Sequence, residues 1–179
     1  MSSEQTQLNF FSAATQYYIT GRYGVLAGQI PVAGNLLHHA IEMYLKGSLA
    51  KAMTLKQLKD LSHSLPGIWA TFKTKFPSSD LTKFDSLISS LHDFEELRYP
   101  DSILTNGMAV SAGVTRVAGT GPIGTAHPVP QYELYLEEID AFVGKIFQVA
   151  SVNPNFFLSR LNTKAREYLK EGNIQPWAV

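Results

Sequence analysis

Two His-x-x-Glu pairs are the side chains in this sequence best suited to holding a metal ion. His39 precedes Glu42, and His92 precedes Glu95. Residues three apart share one face of a helix, so each pair offers two ligand atoms to one ion. Helical di-metal proteins use the opposite order, Glu-x-x-His, with additional carboxylates from other helices. Because neither pair supplies a full ligand set, we interpret both as solvated or interface residues and predict no metal and no cofactor.

Three other stretches contain residue types that occur in catalytic sites. His38 and His39 are adjacent, but no recognisable nucleophile that they would activate lies beside them. The Ser-His-Ser run at 62–64 has hydrolase residue types, yet serines at a helix start are explained by N-capping. The stretch 107–124 is rich in glycine but lacks the Gly-Lys-Ser/Thr ending and the strand-turn-helix setting of a phosphate loop. We therefore assign no catalytic residue.

Arg98 and Tyr99 are the strongest candidates for binding a ligand. Arg98 follows Phe94 by four residues and Leu91 by seven, so helical spacing predicts that its side chain points toward the core. An inward guanidinium needs acceptors, which would be a bound phosphate, backbone carbonyls or a carboxylate such as Glu42. We expect the structural pairing more than the phosphate, because buried arginines are retained when they are paired.

Composition limits the function classes open to this chain. At 179 residues it fits a single domain, which we assign to 1–179. Fifteen basic and fifteen acidic residues balance, so no overall field attracts nucleic acid. There is no cysteine, which excludes disulfides and thiolate metal sites. With no basic leader and no apolar run long enough to span a bilayer, we expect a soluble, cytoplasmic protein without membrane contact.

Apolar periodicity predicts a helical protein built around one central helix, 34–51. Apolar residues cover almost the whole circumference of this helix, so other helices should pack around it. The small residues Ala40 and Gly47 should let a neighbouring helix approach closely. A turn at 29–31 separates it from the helix before it. The fold class we predict is all-α, an up-and-down bundle of four principal helices with an appended C-terminal helix. The predicted helices are 8–28, 34–51, 54–61, 65–76, 80–98, 132–150 and 153–172.

A long stretch rich in glycine and proline, 102–131, precedes the fourth principal helix. It has no helical period, and loops of this length inside a domain are usually functional or mobile. Residues 108–117 contain β-branched residues around Ala112-Gly113, so they form either a small hairpin or part of the loop. In the helix that follows, Glu133, Glu137 and Asp140 are expected to face outward.

Three short motifs, in this order, resemble those of the HEPN domain family. That family carries a pattern like AxExxLK, then His-x-Leu, then Arg-Tyr-Pro before its last core helix. The matching residues here are Ala40, Glu42, Leu45 and Lys46, then His63 and Leu65, then Arg98, Tyr99 and Pro100. The resemblance covers about 14–150, and its specificity comes from the order and spacing of the three motifs together.

The HEPN resemblance implies an all-α bundle that is commonly a homodimer. Such domains occur in RNA-cleaving toxins, nucleotide-binding modules and proteins of defence, stress or toxin-antitoxin systems. Ribonuclease members have a His separated from the Arg by four to six residues, but Ile103, Leu104 and Thr105 stand at those positions in this chain. None of these side chains transfers a proton near neutral pH as His does.

We therefore predict a non-catalytic binding module for a nucleotide, nucleic acid or protein partner. The alternative is a HEPN-type ribonuclease that uses a different site around Arg98. A homodimer is also expected because one small bundle has many aromatic residues to cover. The candidate binding residues are Arg98, Tyr99, His39, Glu42, Lys46 and His63. The aromatic residues considered for the interface are Tyr17, Tyr18, Tyr23, Trp69, Phe156, Phe157 and Trp177.

Overall fold

The computed structural model describes residues 2–77, 80–117 and 129–178. Within these ranges the chain is mainly α-helical and contains a small parallel sheet. The α-helices are α1 (Ser3–Leu26), α2 (Ile30–Leu49), α3 (Leu55–Asp60), α4 (Leu65–Lys75), α5 (Asp85–Asp93), α6 (Pro100–Asn106), α7 (Leu136–Val149), α8 (Asn155–Leu158) and α9 (Thr163–Lys170). Three short 3-10 helices span Thr82–Phe84, Phe94–Arg98 and Pro176–Ala178. None of the helices described is both long enough and apolar enough to cross a bilayer.

The predicted central helix is confirmed as α2. Leu37, Ile41 and Tyr44 are completely buried, and α2 packs against α1, α4, α5 and α7. It starts earlier than predicted, at Ile30, because Pro31 occupies the first turn, where a missing N–H costs no hydrogen bond. The short connection after α1 makes α1 and α2 antiparallel neighbours.

Close contact between α1 and α2 explains the glycines within α1. A Cβ on Gly24 would lie 2.9 Å from the Cβ of Ala33, and one on Gly21 would lie 2.6 Å from Leu37 Cγ. The helix therefore continues through both glycines to Leu26, since their lack of a side chain lets α2 approach. Gly28 has a φ of +72°, so the chain turns there, after α1 has ended.

The sheet corrects both the all-α prediction and the hairpin prediction. Strands β1 (Ala109–Gly113) and β2 (Gln131–Tyr135) pair in parallel, from Ala109 opposite Gln131 to Gly113 opposite Tyr135. Parallel pairing needs a long connection, which the segment 114–130 provides, so the predicted turn at 112–113 does not form. The predicted helix 132–150 starts only at Leu136, because β1 supplies hydrogen-bond partners to the residues before it. Of the predicted loop 102–131, residues 118–128 lie outside the described residues, and 102–106 belong to α6.

The C-terminal segment forms two short helices instead of the single predicted helix. Asn162 starts a new helix, because its Oδ1 accepts a hydrogen bond from Ala165 N at 2.9 Å. Arg166 stabilises the break by donating to the carbonyl oxygens of Leu161 at 3.0 Å and Ser159 at 2.8 Å. The appended C-terminal element is therefore α8 followed by α9.

The aromatic residues expected at a dimer interface are divided between core and surface. Tyr18, Trp69 and Phe157 are buried, and Trp177 is half-buried against Tyr18 and Phe147. The exposed members are Tyr17 (39%), Tyr23 (41%) and Phe156 (43%). A single chain therefore covers more of this aromatic set than the sequence suggested.

Candidate functional site

Four of the six candidate binding residues lie in one group, which we call the Glu42 network: His39, Glu42, Lys46 and His63. Glu42 is completely buried on α2. Its carboxylate accepts a hydrogen bond from Lys46 Nζ at 2.9 Å, and His63 Nδ1 lies 3.0 and 3.1 Å from its two oxygens. His39 Nδ1 lies 3.6 Å from Glu42 Oε2. The first two HEPN-like motifs thus meet around one buried carboxylate.

The Glu42 network fixes the turn that precedes α4. Lys46 is buried and also donates to the carbonyl oxygen of Ser62 at 2.5 Å. Ser62 has a φ of 56°, a left-handed conformation that is strained for a residue with a side chain. Because both contacts of the Lys46 ammonium are internal, this lysine stabilises the fold. The imidazole of His63, which is 69% exposed, is the part of the network that solvent reaches.

The hydrogen bonds of the network set the charge of Glu42. Burial by itself raises the pKa of Glu42, since it removes the carboxylate from water. The neighbouring His39 imidazole and the hydrogen bonds from Lys46 and His63 outweigh burial and lower the pKa from 4.5 to about 2. Glu42 therefore stays ionised in the folded protein at neutral pH.

A second group, which we call the His38 cluster, consists of His38, His92 and Glu95. His38 lies on α2, His92 on α5, and Glu95 on the 3-10 helix that follows α5. The rings of His38 and His92 are 6.0 Å apart between centroids, and His92 Nδ1 lies 3.5 Å from Glu95 Oε2. One ligand atom from each of the three residues lies within 4.8 Å of the other two. The sequence pairs His92 with Glu95 on one helical face, but nothing in the sequence places His38 beside them.

The His38 cluster contains buried nitrogen atoms without hydrogen-bond partners. His38 is 2% exposed, and its Nδ1 lies 3.0 Å from the carbonyl oxygen of Leu91. Nε2 of His38 has no hydrogen-bond partner among the described residues. The same is true of Nδ1 of His92. Burial lowers the pKa of His38, although the hydrogen bond to Leu91 acts in the opposite direction. A neutral imidazole that donates from Nδ1 carries its free lone pair on Nε2.

The remaining two candidates, Arg98 and Tyr99, lie at the surface, which corrects the predicted inward direction of Arg98. The predicted helix 80–98 changes at Phe94 from α to 3-10 geometry. In 3-10 geometry Arg98 lies about 120° around the helix axis from Phe94, whereas an α-helix would place it only ~40° away. Leu97 therefore occupies the buried position on the same side as Phe94. Arg98 is exposed, and Tyr99 is 64% exposed.

The pairing of Arg98 with Glu42 that the sequence suggested does not form. The Arg98 guanidinium lies 6.0 Å from the ring centroid of Tyr99, and within the described part of the chain it forms no ion pair or hydrogen bond. Arg116 shows the contrast, because it contacts Glu133 at 2.8 Å and Glu138 at 3.0 Å. Arg98 is thus an exposed cation without a protein acceptor, next to an exposed aromatic ring.

A buried ion pair between Arg22 and Asp140 was not found by sequence analysis. The two side chains are 0% and 1% exposed, and Tyr18 OH donates to Asp140 Oδ1 at 2.5 Å. Arg22 also donates to the carbonyl oxygens of Tyr168 and Glu171, so the pair joins α1, α7 and the end of α9. Burial raises the pKa of Asp140, while Arg22 and Tyr18 oppose that rise.

The outward direction predicted for Asp140 is wrong, and the sequence contained a signal for its burial. Asp140 follows Leu136 by four residues and precedes Val143 by three and Phe147 by seven. All three of these apolar residues are buried, so a single acid lies within an apolar strip. Arg22 has the same relation to Tyr18 and Val25 on α1.

Comparisons with known proteins identify no relative of this chain. No protein-family model, curated protein or solved structure matches it. The HEPN resemblance therefore stays a prediction based on three short motifs.

Proposed function

We propose that this chain is a non-catalytic, HEPN-like binding module that binds a nucleotide or RNA through Arg98 and Tyr99. The observation that supports this proposal is the exposed Arg98 guanidinium, which has no carboxylate partner in the described residues and lies 6.0 Å from the Tyr99 ring. The other two motif positions with a charged side chain, Glu42 and Lys46, are buried and bonded to each other. Arg98 is thus the motif cation left for a ligand.

The chemistry of the two side chains selects the ligand class. Guanidinium groups bind phosphate oxygens with two parallel hydrogen bonds, and these charge-assisted bonds are about twice as strong as neutral ones. An exposed aromatic ring stacks on a nucleobase, which contributes ~1–3 kcal/mol per base. A phosphate and a base occur together in nucleotides and in single-stranded RNA. With equal numbers of acidic and basic residues, binding depends on this local pair and not on net charge.

A binding role fits this pair better than ribonuclease activity. RNA cleavage uses a base for the attacking 2′-hydroxyl and an acid for the leaving oxygen, each worth ~10²–10⁴-fold. A guanidinium group stabilises phosphate charge but does not exchange its proton, so it supplies neither the base nor the acid. The positions where the family has its His lie on α6 and carry Ile103, Leu104 and Thr105.

The proposal includes the remaining features of the family: an up-and-down bundle, a homodimer, and a cytoplasmic role in a bacterial stress, defence or toxin-antitoxin system. Three aromatic residues about 40% exposed, Tyr17, Tyr23 and Phe156, support self-association. Light scattering tests the dimer directly. The expected mass is twice the 19.8 kDa of one chain, and a strict monomer would contradict this part.

Ligand binding is tested by fluorescence anisotropy with labelled ATP and with a short labelled single-stranded RNA. Arg98→Ala should weaken binding by about tenfold or more, since a hydrogen bond to a charged group contributes ~1.5–3 kcal/mol. Tyr99→Ala should weaken it through lost stacking. Arg160→Ala is the matched control, because Arg160 is also exposed and lies 4.3 Å from the ring centroid of Phe156.

Four results would overturn the proposal. One is that the wild-type protein binds neither probe, and another is that Arg98→Ala and Arg160→Ala have equal affinities. A third is that the chain binds a protein partner but no nucleotide or RNA. If nuclease-free protein cleaves RNA and a folded Arg98→Ala variant does not, the ribonuclease alternative replaces the binding module.

A further inference from the structure

We propose that His38, His92 and Glu95 form a binding site for a divalent transition-metal ion, with Zn²⁺ the ion tested first. This inference does not depend on the proposed function, since Arg98 and Tyr99 take no part in it. It also revises the sequence-based expectation that the chain binds no metal. That expectation considered each His-x-x-Glu pair alone and lacked a third ligand. The fold supplies this ligand from a different helix.

His38 has the features of a metal ligand prepared by its surroundings. Metal-binding histidines usually donate their other ring N–H to a carbonyl or carboxylate, which fixes the ring and its tautomer. His38 Nδ1 lies 3.0 Å from the carbonyl oxygen of Leu91, which leaves the lone pair on Nε2. Nε2 is buried and has no hydrogen-bond partner in the described chain. Leaving such an atom unsatisfied is costly, so a ligand for it is expected.

The positions of His92 and Glu95 complete a set of three ligands. The ligand atoms of the three residues lie within 4.8 Å of one another. Around a tetrahedral Zn²⁺ with bonds of ~2.0–2.1 Å, ligand atoms are about 3.3 Å apart, so side-chain shifts on the order of 1 Å close the site. His92 Nδ1 is a second buried nitrogen without a hydrogen bond in the described ranges, and it lies 3.5 Å from Glu95 Oε2. Two imidazole nitrogens without hydrogen bonds beside one carboxylate match the ligand set of an ion.

The surroundings leave a path for the ion and a position for a water ligand. The His92 and Glu95 side chains are 36% and 38% exposed, so the cluster is closed on the His38 side and open on the other. Two imidazoles and one carboxylate suit zinc and related first-row ions, whereas Mg²⁺ prefers oxygen ligands. Three protein ligands plus a water is the arrangement of an open zinc site.

Glu95 is a better third ligand than Glu42, although His38, His39 and Glu42 also lie within ligand distance of one another. The Glu42 carboxylate already accepts from the Lys46 ammonium at 2.9 Å, which would repel a cation. The only ion pair of Glu95 in the described chain is with His92 itself. We therefore assign the ion to the His38 cluster and not to the Glu42 network.

The experiment uses full-length protein without a histidine tag, stripped with a chelator and titrated with Zn²⁺ by calorimetry. We expect one saturable site per chain, and no competition by Mg²⁺. His92→Ala and Glu95→Gln should each weaken Zn²⁺ binding by at least about tenfold, and Zn²⁺ should raise the unfolding temperature of the wild type more than that of either variant. Both altered side chains are partly exposed, so these variants avoid the folding risk of changing buried His38.

His39→Ala is the matched control, because it removes a neighbouring histidine of α2 that belongs to the other group. It should leave Zn²⁺ affinity unchanged, with circular dichroism confirming that all variants are folded. Co²⁺ should give the visible absorption of a tetrahedral site in the wild type and lose it in His92→Ala. The proposal is overturned if wild-type protein shows no saturable Zn²⁺ binding. It is also overturned if His92→Ala and Glu95→Gln bind Zn²⁺ as tightly as the wild type, whatever the affinity of His39→Ala.

Discussion

The buried pair of Arg22 and Asp140 gives the sharpest stability prediction. Both side chains are almost completely buried, and the Asp140 carboxylate accepts from Arg22 and from Tyr18 OH. Asp140→Asn keeps the shape of the side chain but removes its charge, so the Arg22 guanidinium stays buried without a counter-charge. Breaking a buried pair from one side costs about 3–5 kcal/mol. We expect the free energy of unfolding to fall by that amount.

Asp85→Asn is a matched control for this substitution. Asp85 also accepts from a cation and an aromatic donor, Lys73 at 2.7 Å and Trp69 Nε1 at 2.6 Å. Its side chain is 48% exposed, however, and surface ion pairs contribute only about 0–1 kcal/mol. The same chemical change should therefore have very different effects at the two sites.

Urea unfolding followed by circular dichroism measures the difference. With a denaturant slope of about 2 kcal/mol per molar, Asp140→Asn should lower the midpoint by roughly 2 M, and Asp85→Asn by less than about 0.5 M. The double variant Arg22→Met, Asp140→Leu should be more stable than Asp140→Asn, because it leaves no buried charge. If Asp140→Asn and Asp85→Asn destabilise the protein equally, our account of the pair is refuted.

Two further variants test the network and the packing of α2. Because the pKa of Glu42 is lowered from 4.5 to about 2, its stabilisation is complete above pH 4.5 and is lost as pH falls toward 2. The free energy of unfolding of the wild type should exceed that of Glu42→Gln by at most about 3 kcal/mol at neutral pH. This difference should disappear as the pH is lowered from 4.5 to 2, and a difference that stays constant would contradict the reasoning. Gly34→Ala should destabilise by about 1–3 kcal/mol, because its Cβ would overlap the ring of Phe94. On α4, a Cβ on Gly67 would make ordinary van der Waals contact with Ser64, at 3.6 Å from its Oγ, so Gly67→Ala should stabilise by up to ~1 kcal/mol. Equal thermal shifts of the two variants would contradict this reasoning.

The helices were predictable where apolar periodicity alone decides the structure. The inward stripe Phe84, Leu87, Ile88, Leu91 and Phe94 is buried as predicted. The change to 3-10 geometry after Asp93 was not predictable, because an α-helix and a 3-10 helix place Phe94 almost identically and diverge only beyond it. This divergence moved Arg98 from the expected interior to the surface.

The strands and buried charges depend on partners that are distant in sequence. Residues 131–135 become a strand only because β1 pairs with them across the segment 114–130. Their apolar residues Tyr132 and Tyr135 also fit the helical spacing of α7, so periodicity alone favoured a longer helix. Asp140 and Arg22 each interrupt an apolar strip, but matching one to the other requires the packing of α1 against α7.

The two polar groups on α2 differ in a way that separates a structural role from a functional one. Glu42 is buried, yet hydrogen bonds from Lys46 and His63 satisfy its carboxylate, so the stability of the fold accounts for its presence. His38, one turn earlier, is equally buried but leaves Nε2 unsatisfied, which costs about 1–3 kcal/mol. The hydrogen bond between Nδ1 and the Leu91 carbonyl oxygen gives His38 a structural role, but this role leaves Nε2 unexplained. The ion that we propose beside His92 and Glu95 would use the lone pair of Nε2.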